Sequence, residues 1–203
     1  MAELVLLRHG RTAWNHEGRV QGQLDAELDD SGREQAALVA EALALPRPTL
    51  LWSSDLVRAR DTAAYVADKT GLEPTYDVRL REFDLGERQG LTHDEYRAIA
   101  PEEFALFAQG YYDDAPGAES VADVRARMLA VLGDLLAALG PEERGIAVGH
   151  GAAIRVTVAA MLGWPDDAFH TLRALANCGW AVLGHHPETG HLRLAAYNRV
   201  AGP

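Results

Sequence analysis

The chain contains one cysteine, Cys178, which excludes an intramolecular disulfide and removes the usual mark of an oxidising compartment. Cationic residues are also in short supply, 19 Lys and Arg against 30 Asp and Glu, so the formal net charge is -11. Nucleic acid and anionic membranes need clustered cations, and this balance speaks against both as partners. A small anionic substrate is not excluded, because two or three near cations outweigh distant charge at contact range. Long apolar runs are missing too. Leu4 to Leu7 is too short for a signal peptide or a membrane span, and Met128 to Leu139 is broken by Gly133 and Asp134. Together with an opening Met1-Ala2-Glu3 that has no basic region, these features lead to the expectation of a cytoplasmic protein.

Several catalytic signatures are absent as well. No G-x-x-x-x-G-K-[ST] phosphate loop, G-x-G-x-x-G dinucleotide loop or G-x-S-x-G elbow occurs. His16-Glu17 begins like a zinc-protease motif, but Val20 stands where the second histidine belongs. His185, His186 and His191 read as a solvated hairpin rather than a metal site, and Cys178 lies in an apolar segment and reads as core.

What is present alternates between strand and helix patterns. Leu4-Val5-Leu6-Leu7, Thr49-Leu50-Leu51-Trp52 and Gly145-Ile146-Ala147-Val148 read as buried strands, with Thr75 to Val78 as a further strand. Helices are expected over 31–43, with Ser31 as N-cap and Glu34 in capping-box position, over 56–69 closed by Gly71, over 93–109 with a break at Pro101, over 120–139 and over 152–162. Two late strands, 179–184 and 191–197, would form a hairpin over Pro187-Glu188-Thr189-Gly190, and 110–117 reads as a mobile loop. The pattern implies an α/β fold, a three-layer α/β/α sandwich with a mainly parallel central sheet and helices on both faces.

In such sheets, sites form at the carboxyl ends of strands. Three strand ends here carry residues suited to phosphate: Arg8-His9-Gly10, Ser53-Ser54-Asp55 leading to Arg58, and Gly149-His150-Gly151. The charged fork of arginine donates to two oxygens at once, and a neutral imidazole nitrogen attacks phosphorus in line. His150, read as protonated, would stabilise the transferring group, and Arg58 at a helix start sits where anions are favoured. Hydrolysis also needs a carboxyl group to protonate the leaving oxygen and then activate water. Position alone leaves Glu82, Asp84 and Glu87 equal candidates.

These residues together resemble the histidine phosphatase superfamily, also termed phosphoglycerate mutase-like. The resemblance runs through Leu7 to Asn15, then Gln21-Gly22 with Asp25, Leu28, Gly32 and Gln35-Ala36, then Ser53 to Leu56 with Arg58-Ala59 and Thr62-Ala63, then Leu80 to Gly90, Gly117 to Ser120 and Val148 to Gly151. It implies a single domain over 1–203 with a helical lid at about 86–120. It makes His9 the phosphohistidine, Arg8, Arg58 and His150 the phosphate pocket, and Asn15 a further contact. Gln21, Gly22 and Gly151 fall near the substrate, and Glu82 becomes the proton donor. It implies no metal, a small phosphate ester as substrate, and the homodimer common in the family.

Two departures stand out: Arg88 replaces an aromatic residue expected at the pocket rim, and Glu27 stands where proline is common. Within the family, Gln21 to Asp25 and Gly90 to His93 look most like actinobacterial glucosyl-3-phosphoglycerate phosphatases. The expectation is therefore a metal-independent phosphomonoesterase. The alternatives are a mutase dependent on 2,3-bisphosphoglycerate, which would use the same residues, and a non-catalytic phosphate-binding protein.

Overall fold

The computed structural model describes residues 2–166, 168–186 and 188–202. In chain order its elements are β1 (Glu3–Arg8), α1 (Ala13–His16), α2 (Asp30–Leu43), β2 (Leu50–Ser53), α3 (Val57–Thr70), β3 (Thr75–Tyr76), α4 (His93–Ile99), α5 (Pro101–Gln109), α6 (Val121–Ala138), β4 (Arg144–Gly149), α7 (Gly151–Met161), β5 (Trp180–His185) and β6 (Leu192–Arg199). The strands form one sheet in the order β3-β2-β4-β1-β5-β6. β1, β2, β3 and β4 run parallel, and β5 and β6 complete the sheet antiparallel. The antiparallel pairings of β5 and β6 on one side make the sheet mixed, with its four parallel strands carrying the loops of interest.

The layers follow from the alternation of side chains along β1. Leu4 and Leu6 join the core beneath α6 and α7, with Val124, Met128, Leu132 and Ile154. Val5 and Leu7 point the other way, into the core beneath α2 and α3, with Val39, Leu43, Ala63 and Val66. A strand flanked by two apolar layers must be apolar at every position, which is why it reads as a run and not an alternation. Burying each such side chain stabilises the fold by roughly 1.5–3 kcal/mol, so register errors in β1 are heavily penalised.

Local signals mostly match the elements, with two corrections. The N-cap of α2 is Asp29, whose Oδ1 accepts from Gly32 N–H at 2.7 Å. Ser31 instead accepts from Arg11 Nη2 at 2.8 Å, because the carboxylate two residues earlier is the stronger acceptor for the free helical N–H. The third strand is only Thr75–Tyr76, because Asp77 Oδ1 accepts from Arg79 N–H and starts a 3-10 turn over Val78–Leu80. The expected turn of the last hairpin includes Pro187, outside the described residues, although β5 and β6 do pair antiparallel. The break at Pro101 is present: α4 ends at Ile99 and Pro101 opens α5.

Register places the loops. Arg8 pairs with Gly149 across β1 and β4, and Ser53 pairs with Val148 across β2 and β4. The three carboxyl ends expected to bear the site therefore lie side by side on adjacent strands.

Candidate active site

His9 leaves β1 with its backbone pinned on both sides. Its N–H donates to Gly149 O at 3.0 Å, and its carbonyl accepts from Cys178 N–H at 3.1 Å. The next residue, Gly10, touches Gly32: a β-carbon at Gly10 would lie 2.6 Å from Gly32 O, so only glycine allows this close packing of loop on helix. Gly10 N–H donates to Thr62 Oγ1 at 3.0 Å, tying the loop to α3.

The imidazole of His9 is 3% exposed, and its Nδ1 lies 2.7 Å from Gly10 O. A carbonyl only accepts, so Nδ1 carries the proton and Nε2 keeps its lone pair. Burial, then the positive charges of Arg58 and Arg8, hold the His9 pKa well below its ordinary value. A lowered histidine pKa keeps the neutral, nucleophilic form as the pH falls, so the His9 acid limb of activity lies below pH 6.5. In an NMR titration, His9 should remain neutral through pH 6.5, and Arg58→Met should move its titration upward. A His9 ring that titrates at or above pH 6.5 in the unaltered protein would contradict this assignment.

Arg58 sits in the first turn of α3 and is 1% exposed. Its Nη1 donates to Leu24 O at 2.7 Å and its Nη2 to Gly22 O at 2.6 Å, while its Nε is buried without a partner. Gly22 adopts a φ of +54°, which orients that carbonyl, and a β-carbon there would lie 2.0 Å from Gln89 Oε1. Arg8 Nε is likewise buried and unpartnered. Burial lowers the pKa of both guanidinium groups, that of Arg58 to about 10, so they stay charged at neutral pH. Two cations with bare N–H groups beside one imidazole form a receptor for an oxyanion.

Of the three carboxyl groups that position leaves equal, Glu82 is the one that lines the cavity beside His9. Its Oε1 accepts from Phe83 N–H at 3.0 Å and Ala153 N–H at 2.9 Å, and its Oε2 accepts from Ala152 N–H at 3.1 Å. The carboxylate is thus seated on the first turn of α7. Asp84 instead accepts from Gly86 N–H within its own turn, and the side chain of Glu87 is 75% exposed. The Glu82 backbone is clamped in turn, because its carbonyl accepts from Arg127 Nη2 at 2.9 Å and Gln23 Nε2 at 3.1 Å. Arg127 is paired with Glu119 of the Gly117 to Ser120 element at 2.8 Å.

His150 is fully buried, with its ring centroid 5.2 Å from that of His9. Its Nε2 meets Ser54 Oγ at 2.9 Å and its Nδ1 is buried without a partner. Burial, Arg58, His9 and Arg8 hold its pKa well below the ordinary value, so its surroundings keep it neutral, unlike the protonated form expected. Burial penalises the charged imidazole, and a phosphoryl anion beside the ring would act in the opposite direction.

Asn15 Oδ1 accepts from Thr12 N–H at 3.2 Å and Asn177 Nδ2 at 3.1 Å, which turns its amide NH2 outward. Gln21 Oε1 accepts from Thr12 Oγ1 at 3.2 Å. A cavity of about 150 Å³ is lined by Arg8, His9, Asn15, Gln21, Gly22, Arg58, Glu82 and Tyr112, among others. A neighbouring vestibule of about 420 Å³ shares Arg8, Asn15, Glu82, His93, Phe107 and Tyr112, and adds Phe104, Gly151 and Arg155. Every expected site residue thus lines one of the two spaces except His150, which lies directly behind His9.

Arg88 is displaced from its expected place. Its guanidinium donates to Glu103 at 2.8 Å and lies over the Tyr96 ring, and it lines neither space. An available carboxylate on α5 draws the cation away from the rim and fastens α4 to α5. Burial pushes the Cys178 thiol up to about 12, as suits a core residue. Among the described residues, no group of three His, Cys, Asp or Glu side chains is arranged to hold a metal ion. No helix among them is long and apolar enough to cross a membrane.

Sequence reasoning missed Arg127, Asn177 and Tyr112. Arg127 was detectable, because it falls three residues after Val124 and four before Val131, on a face otherwise buried. Asn177 and Tyr112 lie in loops without a periodic signal, and only the tertiary contacts reveal them.

Comparison with known proteins identifies the family. Residues 4–198 match the model of the histidine phosphatase superfamily, branch 1. A glucosyl-3-phosphoglycerate phosphatase of Mycolicibacterium vanbaalenii is 43% identical over 193 residues, covering 90% of this chain and 84% of that protein. A probable phosphoglycerate mutase of Salmonella typhi is 37% identical over 182 residues, covering 88% and 82%. The solved structure of mycobacterial glucosyl-3-phosphoglycerate phosphatase with VO3 superimposes with a TM-score of 0.89 at 40% identity, covering 97% of this chain and 98% of that one. With its fold, its three adjoining strand ends and nearly its whole length accounted for, the chain belongs to the histidine phosphatase superfamily.

Proposed function

We propose that the chain is a phosphomonoesterase that works through a phosphohistidine at His9 and acts on a phosphoglycerate bearing a sugar, of the glucosyl-3-phosphoglycerate type. The observation that carries this reading is the His9 tautomer. Nδ1 is committed to Gly10 O, which leaves the Nε2 lone pair beside the bare N–H groups of Arg8 and Arg58.

In the reaction, the phosphoryl group lies between Arg8, Arg58, Asn15 and His150. His9 Nε2 forms the N–P bond as the P–O bond to the alcohol breaks, and Glu82 supplies the proton that the alkoxide takes up. The guanidinium groups stabilise charge on the oxygens in flight. Water then attacks phosphorus, Glu82 takes its proton, and His9 is released with inorganic phosphate. Arg8 and Arg58 meet the substrate at contact range, where their charges outweigh the distant net charge of -11.

The aromatic walls of the vestibule, Phe104, Phe107 and Tyr112, suit the apolar face of a sugar ring. The similar phosphatases of Mycolicibacterium vanbaalenii and of the mycobacterial structure support this substrate class. Residues 86–120, with α4 and α5, act as the helical cover of one catalytic unit. The reading includes a metal-independent reaction, a cytoplasmic location and a homodimer, and the site chemistry depends on none of the last two.

Phosphate release from glucosyl-3-phosphoglycerate, 3-phosphoglycerate and sugar phosphates tests the reading. The sugar-bearing ester should be turned over with the highest kcat/KM. Conversion of 3-phosphoglycerate to 2-phosphoglycerate, when primed with 2,3-bisphosphoglycerate and without phosphate release, would replace it with the mutase.

A further inference from the structure

One guanidinium beside this site has no role in the chemistry above. Arg155, on the second turn of α7, is 7% exposed. Its Nε and Nη2 are both buried without a hydrogen-bond partner, and among the described residues it makes no ion pair. Leaving two charged donors bare in the interior is costly, and a purely structural arginine would be expected to have found a carbonyl or a carboxylate. The side chain is nonetheless held in place. It lies over the Phe169 ring at 5.3 Å and near that of Tyr112 at 6.0 Å. Gly110 makes room for it: the backbone there has a φ of +102°, and a β-carbon would sit 1.7 Å from Arg155 Nη2. Aromatic faces and a glycine hold the cation, and none of them satisfies its N–H groups.

Arg155 lines the vestibule together with Arg8, Asn15 and Glu82, on the side away from the 150 Å³ cavity that holds His9 and Arg58. We propose that Arg155 is a specificity-determining residue that binds a carboxylate on the alcohol part of the substrate. The planar fork of an arginine matches the two oxygens of a carboxylate. A second phosphate would call for more charge than Arg155 alone supplies once Arg8 faces the transferring group, and burial lowers the pKa of His93, the remaining base on this wall. The inference rests on the reading of the His9 cavity as a phosphomonoester site and adds the acid group that the site selects for.

The test separates the inference from that reading by measuring binding without turnover. 3-Phosphoglycerate and glycerol 3-phosphate share the phosphate and differ in carboxylate against hydroxymethyl. Each is titrated calorimetrically into His9→Ala protein, with and without Arg155→Met. The parent should bind 3-phosphoglycerate about 10–100-fold more tightly, and Arg155→Met should abolish that preference while glycerol 3-phosphate binding stays within about twofold. The retained glycerol 3-phosphate binding also reports an intact fold. Should the methionine variant not fold, Arg155→Lys keeps the charge without the fork and should lose part of the preference. Equal loss for both ligands, or an unchanged preference, overturns the role assigned to Arg155. Failure of the unaltered protein to release phosphate from any ester would instead overturn the phosphatase reading, and the binding ratio would still decide Arg155.

Discussion

His9→Ala should lower kcat on every phosphomonoester by on the order of 10⁴-fold or more, the scale seen when a covalent nucleophile is removed. The loss should be the same for good and poor leaving groups, because without Nε2 there is no N–P bond to form. Stability should fall by no more than about 1–2 kcal/mol, since the ring's hydrogen bond is to the neighbouring Gly10 and not to the core. An acid-labile phosphoenzyme, trapped by quenching the unaltered protein with a radiolabelled ester, should be absent from the variant. Residual turnover within tenfold of the unaltered protein would mean that the phosphoryl group passes directly to water and that His9 only binds it.

Glu82→Gln should have the second large effect, and its pattern matters more than its size. Proton donation contributes about 10²–10⁴-fold where the leaving group is an alkoxide. A nitrophenolate leaves without a proton, so the first step with p-nitrophenyl phosphate should be nearly spared. The second step still needs a base for water. The variant should therefore release a burst of nitrophenol equal to the enzyme and then slow as phosphohistidine accumulates. Glutamine keeps one oxygen for Phe83 and Ala153 N–H but sets an amide against Ala152 N–H, so some general loss is expected. The comparison of leaving groups removes that loss from the reading. An equal fall for both substrates, with no burst, would show Glu82 to be a support for α7 rather than the acid and base.

Other members of the site shape these outcomes without sharing the chemistry. Arg127 and Glu119 hold the 79–84 backbone from below, through Arg79 O, Arg81 O and Glu82 O, and so fix the height of the carboxyl group. Asn177 holds Asn15 and the His9 carbonyl together. The two Asn177 contacts span 168 and 162 positions and leave no trace in local spacing.

By itself the sequence determined the buried strands, the helices between them and the strand ends that bear Arg8, His9, Arg58 and His150. These depend on apolar runs, helical period and the glycines beside the histidines, all of which are local. The N-cap of α2 and the short third strand were misjudged because Asp29 and Asp77 compete through hydrogen bonds that composition does not rank. The order of the strands, which puts β4 between β1 and β2 and so brings His150 against His9, was decided only by tertiary structure. So were the tautomer of His9, the neutral state of His150, the turn of Arg88 toward Glu103 and the bare guanidinium of Arg155. Each of these depends on which groups meet in the interior and how much water is excluded there, and both are properties of the packed chain rather than of any segment of it.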